Sequence, residues 1–241
     1  NRVIGFPWSE ASVQRTLSSA GGTIAATRAV CNARTDGLRF AGHIAGGTHH
    51  AFSDRGEGYC IFNDMACAAR VALREYPHIV TRILIVDLDV HQGNGCASIF
   101  ANDDSVFTFS LHCPANIFSR REKSDLDVEV PASATDIEYL DLMGHYLPSV
   151  FDEVQPQLTF FQAGVDPHEA DKLGKLRISR AGLKKRNLLM YKLAAQAKSR
   201  LVVTMGGGYP RDLDVTSLPF QTLVQCHADV YRACAALHAR I

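Results

Sequence analysis

One stretch, Arg82 to Gly95, constrains the fold of this chain more than any other part of the sequence. It begins with the apolar run Ile83 to Val86, rich in β-branched residues, which predicts a buried strand. Asp87, Asp89 and His91 follow at every second position, so an extended chain presents all three on one face. Carboxylate and imidazole groups are typical ligands of a divalent metal. The stretch therefore predicts a strand that ends at a metal site; the alternative is a strand that ends in an ordinary polar loop.

The composition restricts the class of protein and of partner. The 241 residues, 46% of them apolar, suffice for a single domain with a sizeable core. Lys plus Arg and Asp plus Glu both number 25, so the net charge of zero provides no general attraction to nucleic acid or to an anionic membrane. We therefore predict no direct nucleic-acid binding. We also predict no membrane span, because no apolar run is long enough.

The cysteines indicate the compartment. There are seven, scattered along the chain and without a C-x-x-C pair. This distribution is typical of reduced thiols and indicates neither a disulfide framework nor a zinc finger. With no secretory signal visible, the sequence predicts an intracellular protein, cytoplasmic or nuclear.

Helical and strand patterns alternate along the chain. Helices are predicted over Ser9–Asn32, Asn63–Tyr76, Cys96–Phe100, Glu138–Val154, Ser179–Lys198 and from Thr216 onward. Strands are predicted over Phe40–Ile44, Ile83–Val86, Val106–Leu111, Leu158–Gln162 and Leu201–Met205. The alternation predicts an α/β fold of three layers, with helices on both faces of a mostly parallel sheet. Ligands of such sheets bind beyond the carboxyl ends of the strands.

Polar segments follow four of these strands, at the point where each strand ends. G-G-T-H-H-A, which contains His49 and His50, follows the first of them. A-G-V-D-P contains Asp166, and G-G-G-Y ends at Tyr209. Because parallel strands end at the same edge of a sheet, we expect these side chains to lie close to Asp89 and its neighbours.

The residue types in these segments suit a catalytic metal site. Asp89, His91 and Asp166 form a three-ligand set that leaves positions open for water and substrate. Such a set accepts Fe²⁺ or Co²⁺ as well as Zn²⁺. His49 and His50 point apart in an extended chain, so as a pair they suit proton transfer better than metal binding, the alternative being a polar loop.

Three more residues complete the predicted site. Asp87 and Asn94 are natural hydrogen-bond partners that could orient the two imidazoles. Tyr209 follows three glycines and can direct its hydroxyl toward a developing oxyanion. Taken singly, Asp166 and Tyr209 could each be a loop residue before a proline.

Together, the motifs resemble those of the zinc-dependent histone deacetylases of the arginase/deacetylase superfamily. In order, they are G-G-T-H-H-A (46–51), G-Y-C-I-F-N-D (58–64), D-L-D-V-H-Q-G-N-G (87–95), A-G-V-D-P…D-K-L-G (163–174) and G-G-G-Y (206–209). Gln92, Asn94, G-G-T-I-A-A (21–26) and S-D-R-G-E-G-Y-C (53–60) resemble the class IV branch and its bacterial relatives. The resemblance implies an arginase/deacetylase-like fold and metal-dependent hydrolysis of N-acyl-lysine in a protein or peptide, an activity expected in chromatin regulation.

The resemblance also implies roles for individual residues. Asp89, His91 and Asp166 would bind zinc. His50 would act as general base and then as general acid. Tyr209 would polarise the scissile carbonyl.

The same resemblance implies supporting roles for other residues. His49 would be an electrostatic helper linked to Asp87. A structural K⁺ ion would be held around Asp87, Asp89, His91, Ser110 and Leu111, and a second near Phe100 and Val106. The substrate channel would be formed by Gly58, Tyr59, Phe118 and Gly207.

The chain departs from the family pattern at two places. The first strand and early loop of the family, with an acidic residue that grips the substrate backbone, would precede Asn1. The sequence therefore predicts one catalytic domain over residues 1–241 without that strand and loop. Asn94 stands where many relatives have Asp, so one imidazole is expected to have a neutral partner.

Other functions remain possible on the same residues. An acetylpolyamine amidohydrolase or a long-chain fatty-acyl-lysine hydrolase would use the same site. An arginase-like ureohydrolase is disfavoured because that family needs an Asp where Gly93 stands. A non-catalytic acyl-lysine-binding or scaffold protein is the alternative of another class, and the full set of ligands, base and tyrosine argues against it. The sequence identifies no protein-complex partner.

Overall fold

The polar segments lie at one edge of a parallel sheet. The computed structural model describes residues 4–33 and 40–238. Within them the strands are β1 (Phe40–His43), β2 (Ile83–Asp87), β3 (Val106–His112), β4 (Leu126–Glu129), β5 (Leu158–Gln162) and β6 (Arg200–Thr204). All neighbouring strands are parallel, in the order β1-β6-β5-β2-β3-β4.

The helices alternate with the strands as the sequence predicts. They are α1 (Glu10–Asn32), α2 (Asp64–Glu75), α3 (Asn94–Phe100), α4 (Asp136–Val154), α5 (Arg180–Gln196) and α6 (Leu218–His238). Ser9 and Ser179 are N-caps, whose side chains accept hydrogen bonds from backbone N–H groups of the first turn of α1 and α5. Over the described ranges, none of these helices combines the length and apolar character needed to cross a membrane.

Two apolar clusters cover the two faces of the sheet. Alternate residues of β2 belong to different clusters: Leu84 and Val86 pack with residues of α4, α5 and α6, whereas Ile83 and Ile85 pack with residues of α1, α2 and α3. A strand buried on both faces needs an unbroken apolar run, which is why β2 was recognisable. The predicted α/β fold of three layers is confirmed.

Some predicted boundaries were wrong. The sequence reading missed β4, which pairs with the outer side of β3. It also began α4 at Glu138, whereas Thr135 is the N-cap and the helix starts at Asp136, with Thr135 and Glu138 forming a capping box. The prediction of a family strand before Asn1 lies outside the described residues.

The strand order creates a crevice between β2 and β5. The chain continues from β2 to β3 on one side, and from β5 to β6 on the other, so the connections leave these neighbouring strands in opposite directions. Asp87 and Gln162, the last residues of the two strands, lie opposite each other. Ligands of parallel sheets bind at such a switch point, and the polar segments after both strands meet there.

Candidate active site

Two carboxylates and one imidazole converge at the crevice. One potential ligand atom from each of Asp89, His91 and Asp166 lies within 4.8 Å of the other two. His91 Nδ1 is 3.0 Å from Asp89 Oδ1 and 3.2 Å from Asp166 Oδ2. All three residues are buried. This donor set fits a divalent cation such as Zn²⁺.

Backbone N–H groups orient both carboxylates. Asp89 accepts hydrogen bonds from the N–H of His91 at 3.0 Å and from the N–H of Gly207 at 2.9 Å. Asp166 accepts one from the N–H of Val90 at 2.9 Å. A Cβ atom on Gly207 would lie 2.3 Å from Asp166 Oδ2, so only glycine lets the backbone approach the carboxylates this closely.

Two of the three groups in the cluster, Asp166 and His91, hold their protons tightly. Burial and the neighbouring Asp89 carboxylate raise the pKa of Asp166 to about 8. Burial lowers the pKa of His91, but its hydrogen bonds to Asp166 and Asp89 outweigh burial and raise the pKa to about 10. A bound cation would supply the positive charge that these carboxylates otherwise take from protons.

His49 lies beside the cluster as a charged imidazole. Its Nδ1 is 2.5 Å from Asp87 Oδ2, and its Nε2 is 4.0 Å from Asp89 Oδ1. Burial lowers the pKa of His49, but attraction to Asp87 and Asp89 outweighs burial and raises the pKa to about 9. At neutral pH this ring therefore carries a positive charge.

His50 is held as a neutral imidazole. Its ring centroid is 3.9 Å from that of His49, and its Nδ1 is 2.7 Å from Asn94 Oδ1. Burial and repulsion from the charged His49 place the pKa of His50 well below its usual value. A neutral ring can accept a proton, which is what a general base requires.

Tyr209 closes the site from the end of the G-G-G-Y segment. Its backbone N–H donates to Asp171 Oδ2 at 2.5 Å, and its carbonyl accepts from the N–H of Lys172 at 2.8 Å. Burial and the nearby Asp89 carboxylate raise the pKa of the Tyr209 hydroxyl far above its usual value. The phenol therefore stays protonated and can donate a hydrogen bond.

A cavity of about 850 Å³ leads from the surface to these groups. His50, His91 and Tyr209 line its inner end, and Tyr59 and Phe118 line its mouth. The aromatic rings lie close to the polar groups: the Phe118 centroid is 4.5 Å from that of His50, and the Tyr59 centroid is 6.1 Å from that of Tyr209. A passage with aromatic rings at its mouth thus ends at a buried polar site.

Comparison with known proteins assigns the family. Residues 4–218 match the histone deacetylase domain. The chain belongs to that family. The predicted resemblance is therefore confirmed at the family level, and membership supports a hydrolase of the deacetylase type.

Relatives differ in how much of their length they share with this chain. The chain is 43% identical to an uncharacterized protein of Picosynechococcus, over 95% of this chain and 74% of that protein. It is 32% identical to histone deacetylase 2 of Arabidopsis thaliana over 78% of this chain and 48% of the relative, and 31% identical to a probable deacetylase of Archaeoglobus fulgidus over 81% and 56%. The chain thus spans about half the length of these two named deacetylases.

Two glycines, Gly58 and Gly207, were predicted to line the substrate channel. Gly58 lines the cavity with a positive φ of 51°, and a Cβ atom there would lie 2.7 Å from both the His50 and the Phe118 rings. Gly207 lies against the carboxylates of Asp89 and Asp166. Its predicted place in the substrate channel stays a prediction.

The residues predicted to hold potassium are placed as follows. Ser110 lies opposite Asp87 across β2 and β3, and Leu111 is the next residue of β3. Phe100 ends α3, and Val106 begins β3 after a short turn. The first group therefore lies together beside the active site, and potassium binding at either place stays a prediction.

Sequence reasoning missed two carboxylates that support the site. Asp171 holds the Tyr209 backbone, and Glu57 Oε1 accepts a hydrogen bond of 2.9 Å from Asn94 Nδ2. Both are buried and stand inside motifs already recognised, D-K-L-G and S-D-R-G-E-G-Y-C. The sequence therefore contained both carboxylates within quoted motifs, but it did not indicate that Asp171 binds the Tyr209 backbone or that Glu57 binds Asn94.

Proposed function

We propose that this chain hydrolyses the amide of an N-acyl-lysine side chain in a protein or peptide. The observation that carries the proposal is the meeting of a neutral imidazole, His50, and a protonated phenol, Tyr209, with a metal-ligand set at the end of one cavity. Family membership supports the same reaction class. The resemblance to the class IV branch remains part of this proposal.

The passage suits a long, thin substrate group. Tyr59 and Phe118 are each about half exposed, at 54% and 51%, so their rings are available to contact a substrate. The aliphatic stem of an acyl-lysine could pack between the two rings, with its amide placed at the inner end. The backbone of the peptide would then stay at the surface.

Asp89, His91 and Asp166 would hold the metal ion. When bound, a Zn²⁺ ion, or Fe²⁺ or Co²⁺ in its place, polarises an acyl carbonyl and makes water more acidic. The buried negative charge of the ligands would keep the ion in place. Potassium in the neighbouring positions would be structural.

The remaining residues move protons and stabilise charge. His50 Nε2 accepts a proton from the attacking water, whose oxygen forms a bond to the acyl carbon. Tyr209 donates a hydrogen bond to the carbonyl oxygen as that oxygen becomes negative, and the charged His49 adds electrostatic stabilisation. His50 then gives its proton to the lysine nitrogen as the C–N bond breaks. The products are a carboxylate and a lysine amine.

A substrate panel tests the proposal. Purified protein with measured metal content would be assayed with acetyl-, butyryl- and myristoyl-lysine peptides and with acetylated polyamines. We expect turnover of the peptides, including those with the longer acyl groups, because the resemblance to the class IV branch implies an open channel. Binding without turnover by fully metal-loaded protein would indicate a non-catalytic reader instead. Turnover of polyamines alone would assign the small-molecule amidohydrolase.

A further inference from the structure

Glu57 is a buried carboxylate beside the active site that does not itself contact the metal-ligand cluster. It is 5% exposed, and paired backbone hydrogen bonds of 2.8 Å with Cys60 place it in the turn that also contains Gly58 and Tyr59. Its Oε1 accepts a hydrogen bond of 2.9 Å from Asn94 Nδ2. A buried carboxylate is costly unless donors satisfy it, and Glu57 has two: Asn94, and Arg55, whose Nε lies 3.5 Å from Glu57 Oε2. Glu57 and Asn94 therefore hold each other in place.

The neighbours of Asn94 determine which end of its amide faces His50. Oδ1 accepts from the N–H of Gly95 at 3.1 Å and lies 2.7 Å from His50 Nδ1. Nδ2 donates to Glu57 and, at 3.4 Å, to the carbonyl of Arg120. Because an amide oxygen can only accept, His50 Nδ1 must carry the proton. Its Nε2 is then the nitrogen free to accept one.

We propose that Glu57 is a positioning residue: through Asn94, it holds His50 in the tautomer whose Nε2 can act as a base. The kinetic consequence rests on the proposed function, whereas the tautomer is a property of the protein alone. In this arrangement the Asn94 side chain lies between the Glu57 carboxylate and the His50 imidazole. The amide between them orients the ring without placing a full negative charge against it.

The arrangement predicts how an aspartate at position 94 would behave. Asn94→Asp replaces a donor with an acceptor, so two carboxylates would face each other across the present 2.9 Å contact with Glu57. Such a pair cannot ionise freely, and its geometry would be disturbed. Adding Glu57→Gln restores a donor: the new amide can donate to Asp at position 94, whose other oxygen still accepts from His50 Nδ1.

Steady-state kinetics on an acetyl-lysine peptide test the coupling. We expect Asn94→Asp to lower kcat with little change in KM, and Glu57→Gln to raise kcat in that background by about tenfold while not raising it in the wild type. Glu57→Leu, which removes the acceptor, should also lower kcat. Glu169→Gln, at an exposed carboxylate, is the matched control and should be unchanged. Metal content and Tm are measured for every variant.

Two kinetic outcomes would overturn the inference. One is a double variant no faster than Asn94→Asp alone, although both are folded and metal-loaded. The other is a folded Glu57→Leu variant with wild-type kcat. If Glu57→Leu does not fold, the comparison between Asn94→Asp and the double variant still decides.

Ring ¹⁵N NMR separates this inference from the proposed function. The His50 signal would be assigned by its loss in His50→Gln. We expect a proton on Nδ1 in the wild type and in the Glu57→Gln/Asn94→Asp variant, and a shift toward Nε2 protonation in Glu57→Leu. These tautomers in a protein without acyl-lysine turnover would leave the inference standing and defeat the proposed function. Normal acyl-lysine turnover by the wild type, together with an unchanged His50 tautomer in Glu57→Leu, would support the proposed function and overturn the inference.

Discussion

At the scale of single residues, the neighbours His49 and His50 receive opposite electrostatic environments. His49 faces Asp87 and Asp89, whereas His50 faces the uncharged amide of Asn94. One ring is therefore charged and the other neutral at the same pH. Adjacent groups whose pKa values are driven apart can divide the work, with one stabilising negative charge and the other accepting a proton.

The pH dependence of turnover tests the neutral base. Because a base must be unprotonated, kcat/KM should fall as the pH drops through the pKa of His50. Burial and His49 hold that pKa well below 6.5, and a bound cation would lower it further by repulsion. We expect an acidic limb with its midpoint below pH 6.5, recorded with metal content checked at each pH. A midpoint above that value in metal-loaded protein would contradict a neutral His50.

Tyr209→Phe tests the phenol as a hydrogen-bond donor. The substitution removes the hydroxyl while keeping the ring, and the backbone bond to Asp171 remains available. By comparison with other oxyanion donors, kcat should fall by roughly 10²-fold or more, with a smaller change in KM. If KM alone rises, Tyr209 contributes to binding and another group stabilises the oxyanion.

At the scale of elements, burial decides which strands the sequence reveals. Every residue of β2 is buried, and the first four, Ile83 to Val86, form an apolar run. In β4 only Val128 is buried, because the strand lies at the edge of the sheet. Its remaining side chains can be polar, and a four-residue segment with one buried position carries no periodic signal.

The site likewise contains residues that the sequence reveals and a contact that it does not reveal. Asp89, His91 and Asp166 were predictable because each follows a strand, and parallel strands bring their ends together. The contact between Glu57 and Asn94 joins residues 37 apart through a turn in which Tyr59 has a φ of 65°. A non-glycine residue with a positive φ leaves no pattern in the sequence, so the path of that turn had to come from the structure.

Alanine substitution at two glycines, one in the segment after β6 and one in α4, should affect metal affinity differently. In Gly207→Ala, the new methyl group would lie 2.3 Å from Asp166 Oδ2 and 2.8 Å from Asp89 Oδ2. We expect metal affinity to fall by about 10- to 100-fold, as when other supports of metal ligands are lost. Isothermal titration with Zn²⁺ measures this.

Gly144→Ala is the matched control. Gly144 lies inside α4, with nothing within 4 Å of an added Cβ atom, so metal affinity should not change. The free energy of unfolding should rise by about 0.5–1 kcal/mol, because alanine favours the helix. Equal metal affinity in both variants would mean that the backbone at Gly207 tolerates the displacement.

At the scale of the whole molecule, the strand order explains how a chain of zero net charge builds a strongly charged site. The carboxylates come from segments after β2 and β5, which lie beside each other at the switch point. Apolar residues of these segments pack in the cluster that contains residues of α4, α5 and α6: Leu88, Val90, Ala163 and Val165. The net charge of the chain therefore says nothing about the site. The negative potential of the site arises because several carboxylates lie close together and are buried.

Metal removal should lower the stability of the folded chain as a whole, because the buried carboxylates of Asp89 and Asp166 both lie against His91 and repel each other. A cation at about 100 times its Kd stabilises the folded state by about 2.7 kcal/mol. For a chain of this length, that corresponds to roughly 5–10 °C in Tm. We expect a chelator to lower the Tm of the wild type by about that amount and to leave the Tm of His91→Ala unchanged, since this variant should already be metal-poor and inactive. Wild-type protein that loses its metal without any change in Tm would contradict the assignment of these ligands.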